Sequence, residues 1–350
     1  TSYFYFVKRK IRIKPYQHIL QMEQFVNVIK TLEEGVQLPK GDFINTILHC
    51  LSKFNWEEDV LKELKVKLGG DDATIKQLIE KLLDVALLEF YEDEVPPSLT
   101  RYHRQLLLFD SINPSVQFEN NYLAQKRLQE THVLILGIGG IGNFVATSLV
   151  AAGIGKITLV DSDDVEVTNL NRQILFSENN IGESKVHAAA NRLKELNLQC
   201  KINLLQKEIH SQNEFEVMLN ECNKVDYIVL SADKPIDLVL WASALCKQYQ
   251  FKYLKCGYMA YQGLIGPLLG YNTKTYEEIF QSWAKDIHSQ NELIKIQNNK
   301  HMAPSMAASN AIFANIATWE MIKDITGICK SVLTEQRILF NLKTMDMVYG

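Results

Sequence analysis

The stretch from Thr131 to Asp161 constrains the fold of this chain more than any other. A short apolar run, Val133–Leu136, stops at a cluster of glycines, and an apolar segment of helical length follows it. A second predicted strand, Lys156–Val160, ends at the acidic Asp161. The order of strand, glycine turn, helix and strand is typical of α/β proteins. We therefore predict an α/β fold with a mostly parallel sheet.

The turn between the first strand and the helix has the spacing G-x-G-x-x-G with one additional glycine. Its members are Gly137, Gly139, Gly140 and Gly142. Glycines let the backbone approach a phosphate, and the N-terminus of a helix offers it free N–H groups. Asp161 follows about 20 residues later, where a ribose hydroxyl needs an acceptor. This pattern predicts a nucleotide site and leaves open whether the ligand is a dinucleotide or ATP. The structural alternative is a tight turn without a ligand.

Polar residues that suit a polyphosphate follow Asp161. Asp163 belongs to an acidic group at the end of the second strand, where open α/β sheets bind ligands. Asn169, Arg172 and Gln173 follow within one short segment. A forked cation beside a neutral hydrogen-bond donor suits a polyphosphate. We therefore count these residues among the nucleotide ligands.

Two further charged residues occur at the ends of predicted elements. Lys185 lies in the first turn of a helix, where a cation opposes the helix dipole. A nearby phosphate explains this lysine better than an ordinary surface position does. Asp233 follows the buried strand Val225–Leu230, and a carboxylate at such a strand end can hold Mg²⁺. The alternative for Asp233 is a cap on the next helix.

Residues 1–97 are predicted to form a separate small α+β domain that resembles a winged helix. Its predicted elements are a hairpin of Tyr3–Val7 with Ile11 and Ile13, a helix over Ile19–Ile29, helices after Asp42, around Leu64 and after Gly69–Gly70, and a strand at Leu87–Tyr91. Winged helices often bind DNA, but here a basic cluster is clear only at Lys8–Lys14. The other possibilities are a peptide-holding module, which captures an extended peptide by strand addition, and a packing or dimerisation module.

Composition narrows the classes of protein. The chain has 350 residues with a formal net charge of −4 and a pI near 6.1, which gives no general affinity for nucleic acid. Its six cysteines are widely spaced and form no C-x-x-C pair, so we predict reduced thiols and a cytoplasmic protein, of bacterial type. No apolar run is long enough to cross a bilayer, and we predict no membrane partner.

The motifs RYHRQ, GIGGIG, NLNRQ, GESK, SAD and HMAPS follow one another along residues 98–350. In this order they resemble the E1-like adenylating enzymes, a family with ThiF and MoeB sulfur-carrier activators and MccB-type peptide-modifying enzymes. The resemblance implies a Rossmann-like adenylation domain at 98–350. It also implies that residues 1–97 recognise the leader of a ribosomally made precursor peptide.

The resemblance implies that the chain uses ATP and Mg²⁺ to adenylate a carboxylate. The glycine turn would hold phosphate, Asp161 the ribose, and Asn169, Arg172 and Lys185 the triphosphate. Asp233 matches the Mg²⁺-linked catalytic aspartate. Arg104, which the residues alone would make a surface charge, matches an arginine reaching in from the partner subunit, and this implies a homodimer. The implied catalytic set is therefore Asp233, Arg104, Arg172 and Lys185.

The chain departs from the family at its zinc and thioester positions. The first cysteine pair of the family's zinc site falls on Thr275 and Glu278, and the second pair is lacking, so no zinc is expected. The crossover loop, about 275–300, has no cysteine, which argues against thioester transfer. Gln281–His288 with Trp283 is expected to cover a bound peptide instead.

Several functions remain open at this point. We expect glutamate side chains of the precursor to be activated, with dehydration and cyclisation in antibiotic peptide biosynthesis. The alternatives within the family are adenylation of a peptide C-terminus, sulfur-carrier activation and a non-catalytic peptide-binding subunit. An NAD-dependent oxidoreductase explains the glycines and Asp161, but not Arg172, Lys185 and Asp233 together.

Overall fold

The computed structural model describes residues 8–53, 55–92, 94–288, 294 and 303–350. The chain divides into two compact units, the first ending at Gln125 and the second starting at Lys126. This division lies beyond the linker predicted at Pro96 and Pro97, because the segment that follows those prolines packs with the first unit.

Two small sheets form the β structure of the first unit. Its described strands are β1 (Lys10–Ile13), β2 (His18–Gln21), β3 (Phe25–Ile29), β4 (Gly35–Pro39) and β5 (Leu88–Tyr91). β1 pairs antiparallel with β5, and β3 lies between β2 and β4 in an antiparallel sheet.

The β2–β4 sheet replaces a predicted helix. The helix predicted over Ile19–Ile29 is wrong: its apolar residues allow a three-to-four-residue period, but the chain turns between Met22 and Phe25 and returns as β3. Val26 and Val28 of β3 are buried while their neighbours are partly exposed, which is the period of a strand. The prediction of a hairpin placed Tyr3–Val7 opposite β1, and those residues lie outside the described part.

The helices predicted after Asp42, around Leu64 and after Gly69–Gly70 are confirmed. They are α1 (Asp42–Lys53), α2 (Glu57–Leu68) and α3 (Asp72–Asp84). Two more helices come next in the chain: α4 (His103–Ile112) and α5 (Asn121–Glu130). Asp71 caps α3, because its side chain accepts a hydrogen bond from the Thr74 amide at 2.7 Å. Ile44, Leu64 and Ile79 place one face of each of the first three helices in the core of this unit.

A buried ion cluster joins α4 to the two-stranded sheet. The ammonium of Lys14, the residue after β1, lies 3.2 Å from the carboxylate of Glu89 on β5 and 2.5 Å from the Asp110 carboxylate, and it donates to the Ser115 carbonyl at 2.7 Å. Lys14, Glu89 and Asp110 are almost fully buried. Asp110 belongs to α4, so this cluster holds α4 within the first unit.

An eight-stranded sheet forms the centre of the second unit. Its strands are β6 (His132–Leu136), β7 (Lys156–Val160), β8 (Lys201–Leu205), β9 (Tyr227–Leu230), β10 (Lys252–Met259), β11 (Gln262–Gly270), β12 (Ile338–Asn341) and β13 (Asp346–Tyr349). They lie in the order β13-β12-β11-β10-β9-β6-β7-β8. β8, β7, β6, β9 and β10 run parallel, and β11 to β13 extend the sheet antiparallel. The predicted α/β class with a mostly parallel sheet is confirmed.

The helices of the second unit pack in two groups. They are α6 (Gly140–Ala152), α7 (Lys185–Leu196), α8 (Gln212–Glu221), α9 (Leu238–Tyr249), α10 (Tyr276–Ile279), α11 (Gln281–His288) and α12 (Ala307–Thr326). α6 packs against α7 and α12, whereas α8 and α10 pack against α9. Across the described part of the chain, no helix combines the length and apolar character that a membrane crossing needs.

The strand order of the eight-stranded sheet indicates where a binding crevice lies. From β6 the chain adds β7 and then β8 on one side, and it returns to add β9 on the other side of β6. Ligands of open α/β sheets bind where the strand order reverses, at the carboxyl ends of the strands. In this sheet that point lies between β6 and β9, next to the glycine turn.

Candidate active site

The glycine turn joins β6 to α6 and has no room for side chains at two positions. Gly137 has φ +96°, and a Cβ there would lie 2.6 Å from the Ala232 amide nitrogen. A Cβ on Gly142 would lie 2.0 Å from the Gly137 carbonyl oxygen. Gly139 is the N-cap of α6, so the free N–H groups of that helix face the crevice side of the turn. The tight glycine turn at a helix N-terminus is therefore present, and its binding of phosphate stays a prediction.

Asp161 is attached to this turn. Its carboxylate accepts the Ile138 amide at 2.6 Å and the Asp163 amide at 2.9 Å. Burial raises the pKa of Asp161, and the positive charge of Lys185 opposes that rise. The structure places Asp161 at the edge of the crevice, where the sequence put it. Its ribose contact stays a prediction.

Lys185 and Asp163 form a close ion pair. The Lys185 ammonium lies 2.6 Å from an Asp163 carboxylate oxygen, with the lysine side chain 7% exposed and the aspartate 66% exposed. Lys185 is the first residue of α7, as the sequence predicted. Both residues were predicted as nucleotide ligands, and the structure brings them together beside Asp161.

The segment Asn169–Gln173 lies beside the other end of the turn. The Arg172 guanidinium donates to the Thr168 carbonyl at 2.7 Å and to the Asn171 side chain at 3.0 Å. The Arg172 Cδ lies 3.6 Å from the place that a Cβ on Gly140 would occupy. Asn169 is buried, and its side chain accepts the Glu166 amide at 3.0 Å.

The side-chain amide of Gln173 has a buried oxygen without a partner in the part of the chain that the structure describes. Its side chain is 2% exposed, and its Oε1 has no hydrogen-bond partner within the described residues. A buried polar atom in this state costs stability, so such atoms tend to occur where a ligand or water supplies the partner. This observation supports the predicted nucleotide role of Gln173.

Asn143 is a site residue that the sequence did not reveal. Its Nδ2 donates to the Ile138 carbonyl at 2.8 Å and to the Gly139 carbonyl at 3.1 Å, and its Oδ1 accepts the Leu175 amide at 2.8 Å. It therefore joins the glycine turn to the segment that follows Gln173. The signal available in the sequence was an asparagine directly after the glycines, at the start of a largely apolar helical segment.

Asp233 follows β9, and its side chain is exposed. The alternative of a helix cap is wrong, because α9 begins at Leu238 and Asp237 precedes it. The Ser231 hydroxyl donates to the Gly137 carbonyl at 2.8 Å, which brings the loop of Asp233 to the glycine turn. Asp233 thus lies on the same edge of the sheet as the predicted phosphate ligands.

Lys255 is a second residue that sequence reasoning missed. It stands opposite Leu230 in the sheet, and its ammonium donates to the Ala232 carbonyl at 3.2 Å. Burial lowers the pKa of Lys255, and the negative charge of Asp233 opposes that change. A lysine within an apolar strand was the signal for it.

Arg104 and the crossover segment complete the predicted set. Arg104 lies on α4 of the first unit with an exposed side chain. Trp283 on α11 is 44% exposed, and the Arg337 guanidinium lies 5.9 Å from its ring centre. Within the HMAPS motif, His301 and Met302 lie outside the described residues, as does most of the loop after His288.

The two positions that carry cysteines in the family's zinc site have a different role here. Thr275 and Glu278 form a capping box at the start of α10: the Thr275 hydroxyl accepts the Glu278 amide at 3.2 Å, and the Glu278 carboxylate accepts the Thr275 amide at 2.7 Å. The described residues contain no cluster of three metal-binding side chains. The absence of zinc stays a prediction.

Part of this chain is similar in sequence to known proteins. It is 32% identical over 187 residues to the adenylyltransferase and sulfurtransferase MOCS3 of Drosophila yakuba, covering 53% of this chain and 39% of that protein. The chain thus spans about two fifths of the length of this curated relative.

Solved structures show the same fold over nearly the whole chain. A complex of E. coli MccB with AMPCPP and MccA superposes with a TM-score of 0.78 at 24% identity, covering 97% of this chain and 96% of that one. PaaA superposes with a TM-score of 0.74 at 22% identity, covering 96% and 98%. At these identities the likeness concerns the fold.

The family model described as the ThiF family matches residues 102–349. This range contains the glycine turn, Asp161, Lys185 and Asp233, and it confirms the resemblance to E1-like adenylating enzymes. The chain belongs to the ThiF family.

Proposed function

We propose that this chain uses ATP to adenylate a carboxylate of a ribosomally made precursor peptide. The observation that carries the proposal is the meeting of Asp161, Lys185, Arg172 and Asp233 around one glycine turn, at the point where the strand order reverses. An NAD site needs the glycines and the acid. It has no use for the two further cations Arg172 and Lys185 or for the exposed carboxylate of Asp233, so this set favours a triphosphate.

The donors in this crevice fit ATP and Mg²⁺. The α6 N-terminus, Arg172 and Lys185 offer N–H groups to phosphate oxygens, and Gln173 has a buried oxygen without a partner. Mg²⁺ keeps several waters and takes one or two protein carboxylates together with substrate phosphates. Asp233, an exposed carboxylate at a strand end, would hold it, and the bound ion would neutralise charge on the triphosphate.

The chain's own residues have a limited chemical task. The substrate carboxylate is already a nucleophile and needs no general base. The residues must therefore hold the α-phosphate in line with it and stabilise negative charge as pyrophosphate leaves. We assign this work to Arg172, Lys185 and Asp233, and to Arg104 of the partner subunit in a homodimer.

A groove in the first unit favours a peptide as the acid. It has a volume of about 550 Å³ and is lined by Arg12, Ile13, Ile19, Leu48, His49, Leu51 and Ser52. Among the described strands, β2 has β3 as its one neighbour, and all four of its side chains are exposed. An extended peptide can pair with such an edge and place apolar side chains in the groove beside it.

The likeness to MccB extends over this first unit, since 97% of the present chain is covered. MccB is a microcin C7 biosynthetic enzyme whose structures include a complex with N-formylated MccA. This supports a peptide substrate for the present chain. Glutamate side chains as the activated groups, with dehydration and cyclisation to follow, are part of the proposal. Sulfur-carrier activation is the second candidate, because MOCS3 is named a sulfurtransferase as well as an adenylyltransferase.

The function is tested with candidate precursor peptides, ATP and Mg²⁺. We expect pyrophosphate release that depends on the peptide, no change in nicotinamide absorbance, and a peptide mass change that distinguishes dehydration from nucleotide transfer. Pyrophosphate release that depends on a sulfur-carrier protein, and that no candidate peptide supports, would establish the second candidate. Nucleotide binding with no exchange on either substrate would contradict catalysis.

Replacement of Ile19 by aspartate tests the groove. We expect peptide affinity to fall about 10-fold or more, because a charge would replace an apolar contact at the groove wall, while ATP affinity stays unchanged. Fluorescence anisotropy with a labelled leader peptide measures the first quantity and calorimetry the second. Leu32→Asp is the matched control, since Leu32 is fully exposed and does not line the groove. An equal loss of peptide affinity in Ile19→Asp and Leu32→Asp would argue against this groove as the peptide-binding surface.

A further inference from the structure

The side chain of Asn310 is buried without a hydrogen bond. Asn310 lies in the first turn of α12 and is 0% exposed. Neither its Nδ2 nor its Oδ1 has a hydrogen-bond partner among the residues described. A buried amide in this state destabilises a protein relative to an apolar side chain of the same shape. An asparagine at this place therefore needs a reason other than packing.

The amide lies directly on the glycine turn. A Cβ on Gly140 would come within 2.0 Å of the Asn310 Nδ2 and 3.6 Å of the Arg172 Cδ. Asn310 and Arg172 thus flank the same glycine, which is the first residue of α6. The absence of a side chain at Gly140 leaves the space that the Asn310 amide occupies.

The start of α12 is fixed in this position by the neighbouring segment. The Ala307 amide donates to the Asn171 carbonyl at 3.1 Å, and the Asn171 side chain donates to the Ser305 carbonyl at 3.3 Å. Asn310 therefore reaches the turn from a helix that is attached next to Arg172. Asp161 contacts the opposite end of the turn, through the Ile138 amide.

We propose that Asn310 is a triphosphate-binding residue, whose Nδ2 donates a hydrogen bond to a non-bridging phosphate oxygen at the α6 end of the turn. The inference rests on the proposed function, because it takes the ligand of this turn to be ATP. Phosphate oxygens accept hydrogen bonds and cannot donate them, so the amide nitrogen is the group that serves. The ligand class is a nucleoside triphosphate with its phosphates between Arg172 and Asn310.

Calorimetry on the full chain with AMPCPP and, separately, with adenosine tests this role. Asn310→Ala is expected to weaken AMPCPP binding about 10-fold by removing the donor. Asn310→Asp, of the same shape, is expected to weaken it about 100-fold because a carboxylate replaces the donor next to phosphate. Adenosine affinity should stay unchanged in both variants. Without nucleotide, the Tm of Asn310→Ala should equal or exceed that of the wild type, because the unsatisfied amide is gone.

Two controls separate this inference from the proposed function. Asn315→Ala alters an exposed asparagine of the same helix, bonded to Ser148, and should leave both affinities unchanged. Arg172→Ala should weaken AMPCPP binding. If Arg172→Ala weakens it and Asn310→Ala does not, the Asn310 assignment is overturned while the nucleotide site stands. If neither does, the proposed function itself fails. Equal loss of AMPCPP and adenosine affinity in Asn310→Ala would show a structural role and overturn the assignment.

Discussion

Replacement of Asp233 by asparagine is expected to lower the rate of ATP–pyrophosphate exchange by at least ~10²- to 10³-fold, the effect of removing one charged group that stabilises a transition state. The side chain is exposed and caps no helix, so the substitution should leave the unfolding free energy almost unchanged. Exchange of radiolabelled pyrophosphate into ATP measures the rate. Asp237→Asn, four residues along the same loop, is the matched control and should retain exchange. A wild-type exchange rate in Asp233→Asn would show that Asp233 has no role in catalysis.

The same variant tests the role of Arg104 across a homodimer. Arg104→Ala and Asp233→Asn should each be inactive alone. When the two variants are mixed so that subunits exchange, about half of the dimers are mixed, and each mixed dimer has one site with both residues intact. We therefore expect recovery of about a quarter of the wild-type activity. No recovery in proven mixed dimers would mean that Arg104 acts within its own subunit or not at all.

Replacement of Lys14 by methionine is expected to destabilise the first unit by about 3 kcal/mol. The substitution leaves Glu89 and Asp110, both at 0% exposure, without the cation between them, and breaking a buried pair from one side typically costs about 3–5 kcal/mol. Arg12 remains beside Glu89 at 2.7 Å, so the lower end of that range applies. Since the chain has two compact units, hydrogen exchange of β1 and β5 in urea measures the effect better than one global transition does.

The loss of stability caused by Lys14→Met should depend on pH in a defined direction. Burial raises the pKa of Glu89, and Lys14 and Arg12 oppose that rise. A carboxyl group with a raised pKa in the folded state stabilises the fold when protonated, and this stabilisation is lost as pH rises through the folded-state pKa. Removal of Lys14 raises the pKa further. The deficit of Lys14→Met should therefore be larger at about pH 8 than at about pH 5.

Lys65→Met is the control for the Lys14 experiment. Lys65 forms an ion pair with Asp72 at 2.6 Å, but both side chains are about half or more exposed. Exposed pairs contribute about 0–1 kcal/mol because solvent screens them. A Lys14→Met variant that behaves like Lys65→Met, or whose deficit grows at low pH, would contradict the buried cluster.

Apolar runs and the polar residues at their ends were sufficient to predict strands β6, β7 and β9 of the second unit, whereas β10 to β13 were not predicted. The residues Val133–Leu136 and Ile157–Val160 are buried on both faces and are almost entirely apolar, which is how parallel strands appear in a sequence. Glycines and Asp161 then marked the ends of those strands. The helix predicted over Ile19–Ile29 failed because a short half-buried strand pair and one amphipathic helix give similar patterns of apolar residues.

The sequence by itself determined the α/β class, the glycine turn and the charged candidates Asp161, Arg172, Lys185 and Asp233, because each is indicated by local spacing. The tertiary structure decided which of them meet. The contact of Asp161 with the Ile138 amide, the pair of Lys185 with Asp163, and the position of Asn310 on Gly140 join residues far apart along the chain. Such contacts depend on strand order and helix packing, and no local pattern of residues specifies those.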